Sequence, residues 1–258
     1  MTDGTPAGSR TFDANAEGYE RTIAQTLLPV VRRVVDGAAL QPGEAVLDVG
    51  TGTGTAASFA LGDGRSVVGI DGSPAMLELA RRRVAGATFT RMDFSRLDFA
   101  DASFDVVIAS HSLLFAEDRV AALREWLRVA RPGGRLSLSV PGPEEVTPTQ
   151  LYRAIYERNG ISTAGRYPER HAVRADVEAA GWTDARASAD PTVTIRLAGE
   201  ALLREWRTLG ARGEATRAWT PEQHEALTAE MLAATPRTAD GTFVMPFGAL
   251  FVTARRPA

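Results

Sequence analysis

The sequence contains no cysteine and no lysine, and only three of its 258 residues are histidine. Without cysteine, the chain has no disulfide bond, no thiolate metal ligand and no cysteine nucleophile. Without lysine, it has no side-chain amine for Schiff-base or lysine-base catalysis. The histidines, His111, His171 and His224, are scattered and show no metal-ligand spacing, so we expect no metal site.

Long apolar runs and a large excess of one charge are also missing. The net charge is −3, and 44% hydrophobic with 24% charged residues is the balance of a soluble globular protein. A nucleic-acid partner would normally require a basic face. No apolar run reaches the roughly 20 residues of a membrane helix, and the first residues lack a signal-peptide pattern. We therefore expect a cytoplasmic protein that binds neither membrane nor nucleic acid.

What the sequence does contain is an alternation of short apolar segments with helical patterns. The predicted strands span residues 46–49, 66–70, 88–90, 104–109 and 135–140. The first predicted helix between these strands spans residues 55–61. The second begins at Pro74, after an N-cap at Ser73, and the third spans residues 119–130. Strands that alternate with helices predict a doubly wound α/β sheet.

Less regular segments flank this core. An amphipathic helical leader is predicted over residues 15–40. After residue 140, helices are predicted at 151–159, 173–180, 200–209 and 221–232. Strands are predicted at 192–197 and 243–253. No linker is long enough to separate a second domain, so we predict one domain over residues 1–258.

The most informative stretch is Val46–Ala57, where a short apolar strand containing one acid ends at glycines on every second position. This strand–loop–helix pattern is typical of a nucleotide-type site, because glycine lets the backbone approach a ligand. The motif G-x-G-x-x-A from Gly52, with Asp71 roughly 20 residues further on, also fits a dinucleotide site. However, Asp48 inside the strand would repel a pyrophosphate and favour a ligand with an amino group and a sulfonium.

Five segments carry a more specific pattern. They are VLDVGTGTG at 46–54, VGIDGSPAM at 68–76, MDF at 92–94, FDVVIAS at 104–110 and LRVARPGG at 127–134. In this order and spacing they resemble a class I S-adenosylmethionine-dependent methyltransferase, of the small-molecule group that includes ubiquinone- and menaquinone-biosynthesis enzymes. The resemblance implies a seven-stranded, mostly parallel sheet with an antiparallel last strand. It also implies S-adenosylmethionine as cofactor and in-line methyl transfer to O, N or C of a small organic acceptor.

The resemblance further implies cofactor contacts for particular residues. They are Tyr19, Asp48, Gly50, Gly52, Gly54, Asp71, Gly72, Met76, Asp93, Phe94 and Ser110. The three loop glycines and Asp48 would lie beside the methionine part, which Tyr19 would reach from the leader, with the backbone of Ser110 nearby. Asp71 would accept hydrogen bonds from both ribose hydroxyls. Asp93 and the Phe94 N–H would meet the adenine, with Met76 packed on its ring.

Plainer interpretations stay open for several of these residues. Asp48 could cap the loop that follows it, although an acid in an apolar strand is costly without a partner. Met76 could belong to the core, and Tyr19 could continue the apolar stripe of the leader. The acids at positions 98 and 101 compete with Asp93 for the adenine contact.

His111 directly follows the fourth predicted strand and is the candidate catalytic residue, as a general base or by orienting the acceptor. Ligands of open α/β sheets bind at the carboxyl ends of the strands. His111 could also turn outward, and methyl transfer can proceed by orientation alone.

Acceptor recognition is expected from the leader and from cap insertions at 141–172 and 198–241, which flank a cofactor-binding core at 45–140. The acceptor-pocket candidates are Phe115, Tyr152, Tyr156, Tyr167, His171, Trp206 and Met245. Each of them could instead pack the cap onto the sheet. Two other functions stay open: an NAD-dependent oxidoreductase, and a cofactor-binding protein of this fold that transfers no methyl group.

Overall fold

A computed structural model describes residues 12–162, 171–207 and 215–258. The leader forms α1 (Ala16–Tyr19), which continues as a π-helical turn (Glu20–Ala24), and α2 (Leu28–Gly37). The core comprises β1 (Ala45–Val49), α3 (Thr55–Ala60), β2 (Ser66–Asp71), α4 (Pro74–Arg83), β3 (Thr88–Arg91), β4 (Phe104–Ser110), α5 (Arg119–Val129) and β5 (Ala130–Pro141). The remainder comprises α6 (Pro148–Arg158), α7 (Ala172–Ala179), β6 (Thr183–Asp190), β7 (Thr194–Ala198), α8 (Glu200–Arg207), α9 (Pro221–Ala234), β8 (Thr242–Pro246) and β9 (Ala249–Arg255).

Seven strands form one sheet in the order β3-β2-β1-β4-β5-β9-β6. β1 pairs in parallel with β2 and β4, whereas β9 runs antiparallel to both β5 and β6. The strand order reverses between β1 and β4, which opens a crevice at their carboxyl ends where α/β folds bind ligands. The predicted doubly wound, mostly parallel sheet with an antiparallel last strand is confirmed.

The two faces of the sheet are covered because successive side chains of a strand point to opposite sides. Val46 and Val106 belong to an apolar cluster with Val34 of α2 and with α3. Leu47 of β1 belongs to a second cluster with Trp126 of α5. Burial on both faces explains why the central strands have near-continuous apolar sequences.

The last third of the chain differs from the sequence-based prediction. β6 was not predicted, because as an edge strand it exposes most of its polar sequence TDARASAD. The strand predicted at 192–197 exists as β7, but it pairs with β8 in a separate two-stranded sheet. The single strand predicted at 243–253 is two strands, β8 and β9, separated at Gly248, whose φ is +48°.

Replacing Gly248 by alanine should lower the free energy of unfolding more than the same change at Gly43. Both glycines have left-handed φ angles, +48° and +77°, where a Cβ costs roughly 1–2 kcal/mol. A Cβ at Gly248 would also lie 2.5 Å from Val146 Cγ2, whereas nothing lies within 4 Å of one at Gly43. Urea denaturation should show an additional loss of about 1–3 kcal/mol for Gly248→Ala. Equal losses at the two positions would contradict this packing.

Candidate functional site

Asp48 lies at the end of β1, beneath the glycine loop (residues 50–54). Its side chain is 1% exposed. One carboxylate oxygen accepts hydrogen bonds from the Thr51 hydroxyl at 2.6 Å and from the Ala57 backbone N–H at 3.0 Å. Burial raises the pKa of Asp48 to about 7, although both hydrogen bonds act in the opposite direction. Asp48 therefore fixes the loop and the first turn of α3, and it titrates near neutral pH.

The glycine loop turns through three left-handed residues, Gly50, Gly52 and Gly54, with φ angles of +69°, +54° and +86°. A Cβ on Gly50 would lie 2.3 Å from the Cβ of Ser112, so the loop packs closely on the residues after β4. Nothing lies within 4 Å of the equivalent position on Gly52. Gly52 therefore presents bare backbone to open space, as a ligand-binding loop requires.

Asp71, the last residue of β2, lies directly across from the loop. One carboxylate oxygen accepts the Gly52 N–H at 2.9 Å, and the other accepts the Ser73 N–H at 2.9 Å. Burial raises its pKa. Gly72 completes the turn, and its carbonyl accepts a hydrogen bond from Arg91 at 3.3 Å. A hydrogen bond from the Gly72 backbone also lowers the pKa of Asp71, and the carboxylate keeps acceptor capacity for a further donor.

Asp48 and the glycine loop line one pocket of roughly 400 Å³, counting its open mouth. Ser110, at the end of β4, lines the same pocket, and Tyr19, Ala24 and Leu27 of the leader form the opposite wall. The structure thus brings Tyr19, Asp48, Gly50, Gly52 and Ser110 together at one pocket, and their contact with a cofactor stays a prediction.

Polar contacts hold the leader over this pocket. Asp13 accepts hydrogen bonds from the Ser73 hydroxyl and the Ala75 N–H, both at 2.9 Å. Arg83 of α4 donates to Glu20 of the leader at 2.7 Å and to the Thr53 carbonyl of the loop at 2.9 Å. One guanidinium therefore ties the leader to the glycine loop. No sequence pattern identified Arg83 in this role, since the contact depends on tertiary packing.

Tyr19 lines the pocket from the side of the leader. Burial raises the pKa of Tyr19, and the carboxylates of Asp71 and Glu20 raise it further. The phenol therefore stays protonated over the physiological range. Its ring also packs edge-to-face on Phe12. Tyr19 thus lines the pocket and also belongs to an apolar contact, and its contact with the cofactor stays a prediction.

The three predicted adenine contacts do not line this pocket. Asp93 is exposed and accepts the Ser95 backbone N–H at 2.8 Å. The Phe94 carbonyl accepts a hydrogen bond from the Trp126 indole at 2.8 Å. Met76 is buried in a small apolar cluster against the leader. The adenine role of these residues stays a prediction.

His111 is buried where β4 ends, in an unusual conformation. Its φ of +61° is left-handed, its ring stacks on Phe247 with centroids 5.3 Å apart, and Nδ1 shares a hydrogen bond with the Ser139 hydroxyl at 2.8 Å. Nε2 is buried and has no partner among the described residues. Burial lowers the pKa of His111 to about 3, so the imidazole is neutral at physiological pH. The catalytic role of His111, as a general base or by orienting the acceptor, stays a prediction.

Four acceptor-pocket candidates, Tyr152, Tyr156, Trp206 and Met245, lie in the core of the cap. All four are fully enclosed in one apolar cluster. The Tyr152 hydroxyl shares a hydrogen bond with Thr235 at 2.6 Å and contacts the Met245 sulfur at 3.1 Å. The structure therefore places them in the interior instead of on the pocket wall, and a contact with the acceptor stays a prediction for each.

The remaining acceptor candidates occupy different places. Phe115 is 38% exposed and packs edge-to-face on Phe12, with centroids 5.4 Å apart. His171 is exposed and precedes α7. Tyr167 lies outside the described residues. Phe12 was missed by the sequence analysis, because it stands before the first periodic helix.

Within the described ranges, no three His, Asp or Glu side chains are grouped so that they could hold a metal ion. None of the helices in those ranges is both long and apolar enough to cross a membrane.

Comparison with known proteins identifies the family. Residues 47–138, which include Asp48, the glycine loop and Asp71, match the family model described as a methyltransferase domain. A demethylmenaquinone methyltransferase of Beutenbergia cavernae is 35% identical over 183 residues, covering 70% of this chain and 73% of that protein. The chain belongs to the class I S-adenosylmethionine-dependent methyltransferases, in the quinone-biosynthesis-like group. The family expected from the motifs is confirmed, and the chain is a methyltransferase.

Two further similarities extend this comparison. The aklanonic acid methyltransferase DauC of Streptomyces sp. strain C5 is 33% identical over 141 residues, covering 52% of this chain and 64% of that protein. Haemonchus contortus phosphoethanolamine N-methyltransferase 2, solved in complex with S-adenosyl-L-methionine, has a TM-score of 0.63 at 18% identity. That match covers all of this chain and 62% of the other, and at this identity it shows the shared fold alone.

The raised pKa of Asp48 makes the stability of this methyltransferase depend on pH. The unfolded chain releases this proton near pH 3.8, whereas the folded chain keeps it to about pH 7. The folded state therefore binds more protons in between, and the free energy of unfolding falls as pH rises through this window. Asp48→Asn, which has no proton to lose, should remove a decline on the order of 2 kcal/mol between pH 5 and 8.

The measurement is urea denaturation at several pH values, taken as the difference between variant and parent. This difference cancels the opposite slope that buried His111 contributes between pH 3 and 6.5. Asp105→Asn is the control, because the pKa of Asp105 is lowered and its contribution changes only in acid. A difference between Asp48→Asn and the parent that is constant with pH would exclude the raised pKa.

Proposed function

We propose that this methyltransferase binds S-adenosylmethionine in the pocket beneath the leader and methylates a small, flat organic acceptor there. One observation carries the proposal. Asp48 is buried and Asp71 is half-buried, burial raises the pKa of both, and no described arginine or histidine lies within ion-pair distance of either. Buried acids without a cation need a ligand that brings positive charge or hydrogen-bond donors.

The chemistry of the pocket fits S-adenosylmethionine. Asp48 and the bare backbone at Gly52 suit its ammonium and sulfonium groups, and the remaining acceptor capacity of Asp71 suits its ribose hydroxyls. A dinucleotide would instead bring an anionic pyrophosphate towards both acids. The charge of the site thus supports the adenosyl sulfonium over NAD.

When bound, S-adenosylmethionine supplies a methyl group that is already activated by its sulfonium. The residues of the chain then have to bind, orient and exclude water. Ala24 and Leu27 of the leader form an apolar wall opposite the glycine loop. Orientation of this kind can contribute about 7–11 kcal/mol to catalysis, so no general base is required. Neutral His111 suits this mechanism as a hydrogen-bonding partner of the acceptor.

The exposed aromatic surface beside the leader supports a flat acceptor. Phe115 is the one large apolar side chain that is exposed among the described residues, and Phe12 packs against it. Aromatic faces stack on planar rings. The relatives named above methylate demethylmenaquinone and aklanonic acid by their names. A quinone-like or polyketide acceptor is consistent with both observations.

Asp71→Asn should weaken the binding of S-adenosylhomocysteine, measured by isothermal titration calorimetry. The variant loses one charged hydrogen-bond acceptor, and such bonds contribute about 1.5–3 kcal/mol, so we expect a loss of roughly 10- to 100-fold. Asp36→Asn, at an exposed acid that does not line the pocket, is the control and should bind like the parent. Parent protein that binds NAD but not S-adenosylhomocysteine would overturn the proposed function.

His111→Asn should raise the acceptor KM by about tenfold, as expected for one lost hydrogen bond. Asparagine tolerates the left-handed φ, so the backbone is kept while Nε2 is removed. Because the imidazole is already neutral, kcat should keep the pH dependence of the parent between pH 6 and 9. Steady-state kinetics with each acceptor that is turned over gives both quantities. An inflection in kcat near pH 6.5 that the variant abolishes would instead establish a general base.

A further inference from the structure

Arg207, the last residue of α8, is the one arginine that is buried among the described residues, at 7% exposure. The other charged contacts of the cap are conventional surface ion pairs. Arg158 pairs with Glu230 at 2.6 Å, and Arg204 pairs with Glu225 at 2.5 Å. Arg207 has no carboxylate within 4.0 Å in the part of the chain that the structure describes.

The polar contacts of Arg207 leave part of its guanidinium unsatisfied. Nη1 donates to Nδ1 of His224 at 3.0 Å, and Nε is buried without a partner. Burial and the charge of Arg207 lower the pKa of His224, so this histidine is neutral and cannot compensate the guanidinium. The nearby acid, Glu225, already gives both carboxylate oxygens to Arg204. One positive charge of the cap interior is therefore uncompensated.

The helix that carries Arg207 is connected to the leader. α8 is tied to the leader by an ion pair of 2.5 Å between Glu205 and Arg21. Trp206, next to Arg207 in the chain, belongs to the same apolar cluster as Leu27 and Val31, which also line the pocket. α8 therefore packs on the leader, which forms one wall of the pocket.

We propose that Arg207, oriented by His224, binds a carboxylate of the acceptor. This inference rests on the proposed function and narrows its acceptor to a planar acid. A guanidinium matches the two oxygens of a carboxylate with parallel N–H donors. The single positive charge of Arg207, beside a neutral histidine, matches the charge of a monoanion. A phosphate dianion would leave one negative charge uncompensated in the site. The carboxylate of the cofactor has the same chemistry, so the test must separate the two sources.

The experiment uses the full chain without cofactor and compares anthraquinone-2-carboxylate with the neutral anthraquinone-2-carboxamide. Thermal unfolding and tryptophan fluorescence report binding, the latter because Trp206 adjoins the site. The parent should bind the acid more tightly than the amide. Arg207→Met should reduce binding of the acid by roughly 10- to 100-fold and leave the amide unchanged. Arg158→Gln, at an exposed ion pair of the same cap, should behave like the parent.

A second readout separates a binding site from a structural arginine. If the role of Arg207 is to bind an anion, its charge is uncompensated in the ligand-free protein. Arg207→Met then removes a buried charge, so the Tm of the ligand-free protein should be unchanged or higher. A Tm several degrees lower for both Arg207→Met and Arg207→Gln would show a structural role and overturn the proposal.

Two further outcomes would also overturn it. The first is that the parent binds acetate, benzoate and anthraquinone-2-carboxylate no more tightly than it binds the amide that corresponds to each acid. The other is that Arg207→Met weakens S-adenosylhomocysteine by the same factor as the acid, which would assign Arg207 to the cofactor. Because the acid titration contains no cofactor, its result is independent of whether the chain binds S-adenosylhomocysteine.

Discussion

The buried carboxyl of Asp48 is the contact on which the geometry of the site depends. It joins three consecutive pieces of chain: the end of β1, the glycine loop through Thr51, and the start of α3 through Ala57. A carboxyl in this position is poorly solvated and keeps its proton to about pH 7. It is tolerated because the loop supplies donors to one oxygen, and it suits a ligand that brings positive charge. The protonated form of Asp48 therefore favours the stability of the fold, whereas its charged form favours the binding of a cationic ligand.

The second constraint is that the pocket is closed by a segment distant from the sheet. The leader is held by Asp13 at the start of α4, by Glu20 on Arg83, and by Arg21 on Glu205 of the cap. Each contact is polar and lies near the surface, where single ion pairs contribute little stability. Their number fixes the position of the leader, while its apolar side chains supply the burial. Such a cover can exclude water from the pocket without being part of the rigid core.

The sequence predicted the cofactor half of the molecule well, because its signals are local. β1 to β5 and the helices between them follow from apolar runs, glycines and the N-cap at Ser73 within short windows. The cap was harder to predict, since β6 has almost no apolar pattern and Gly248 divides a continuous apolar run into two strands. Contacts such as Ser139 on His111 also require the register between β4 and β5, which no local pattern contains. The aromatic residues of the cap looked alike in sequence, and only packing separates exposed Phe115 from enclosed Tyr152.

Unsatisfied polar groups indicate a function for the cap that its fold alone does not. Folded proteins satisfy nearly all of their buried polar atoms, because each one left unpaired costs free energy. Here the Nε2 atom of His111 and the Nε atom of Arg207 are exceptions within the described chain. One stands at the end of β4 and the other in the cap, and a bound acid would supply the acceptor that the guanidinium lacks. Selection for methylation of such a ligand would retain both costs, whereas selection for stability alone would remove them.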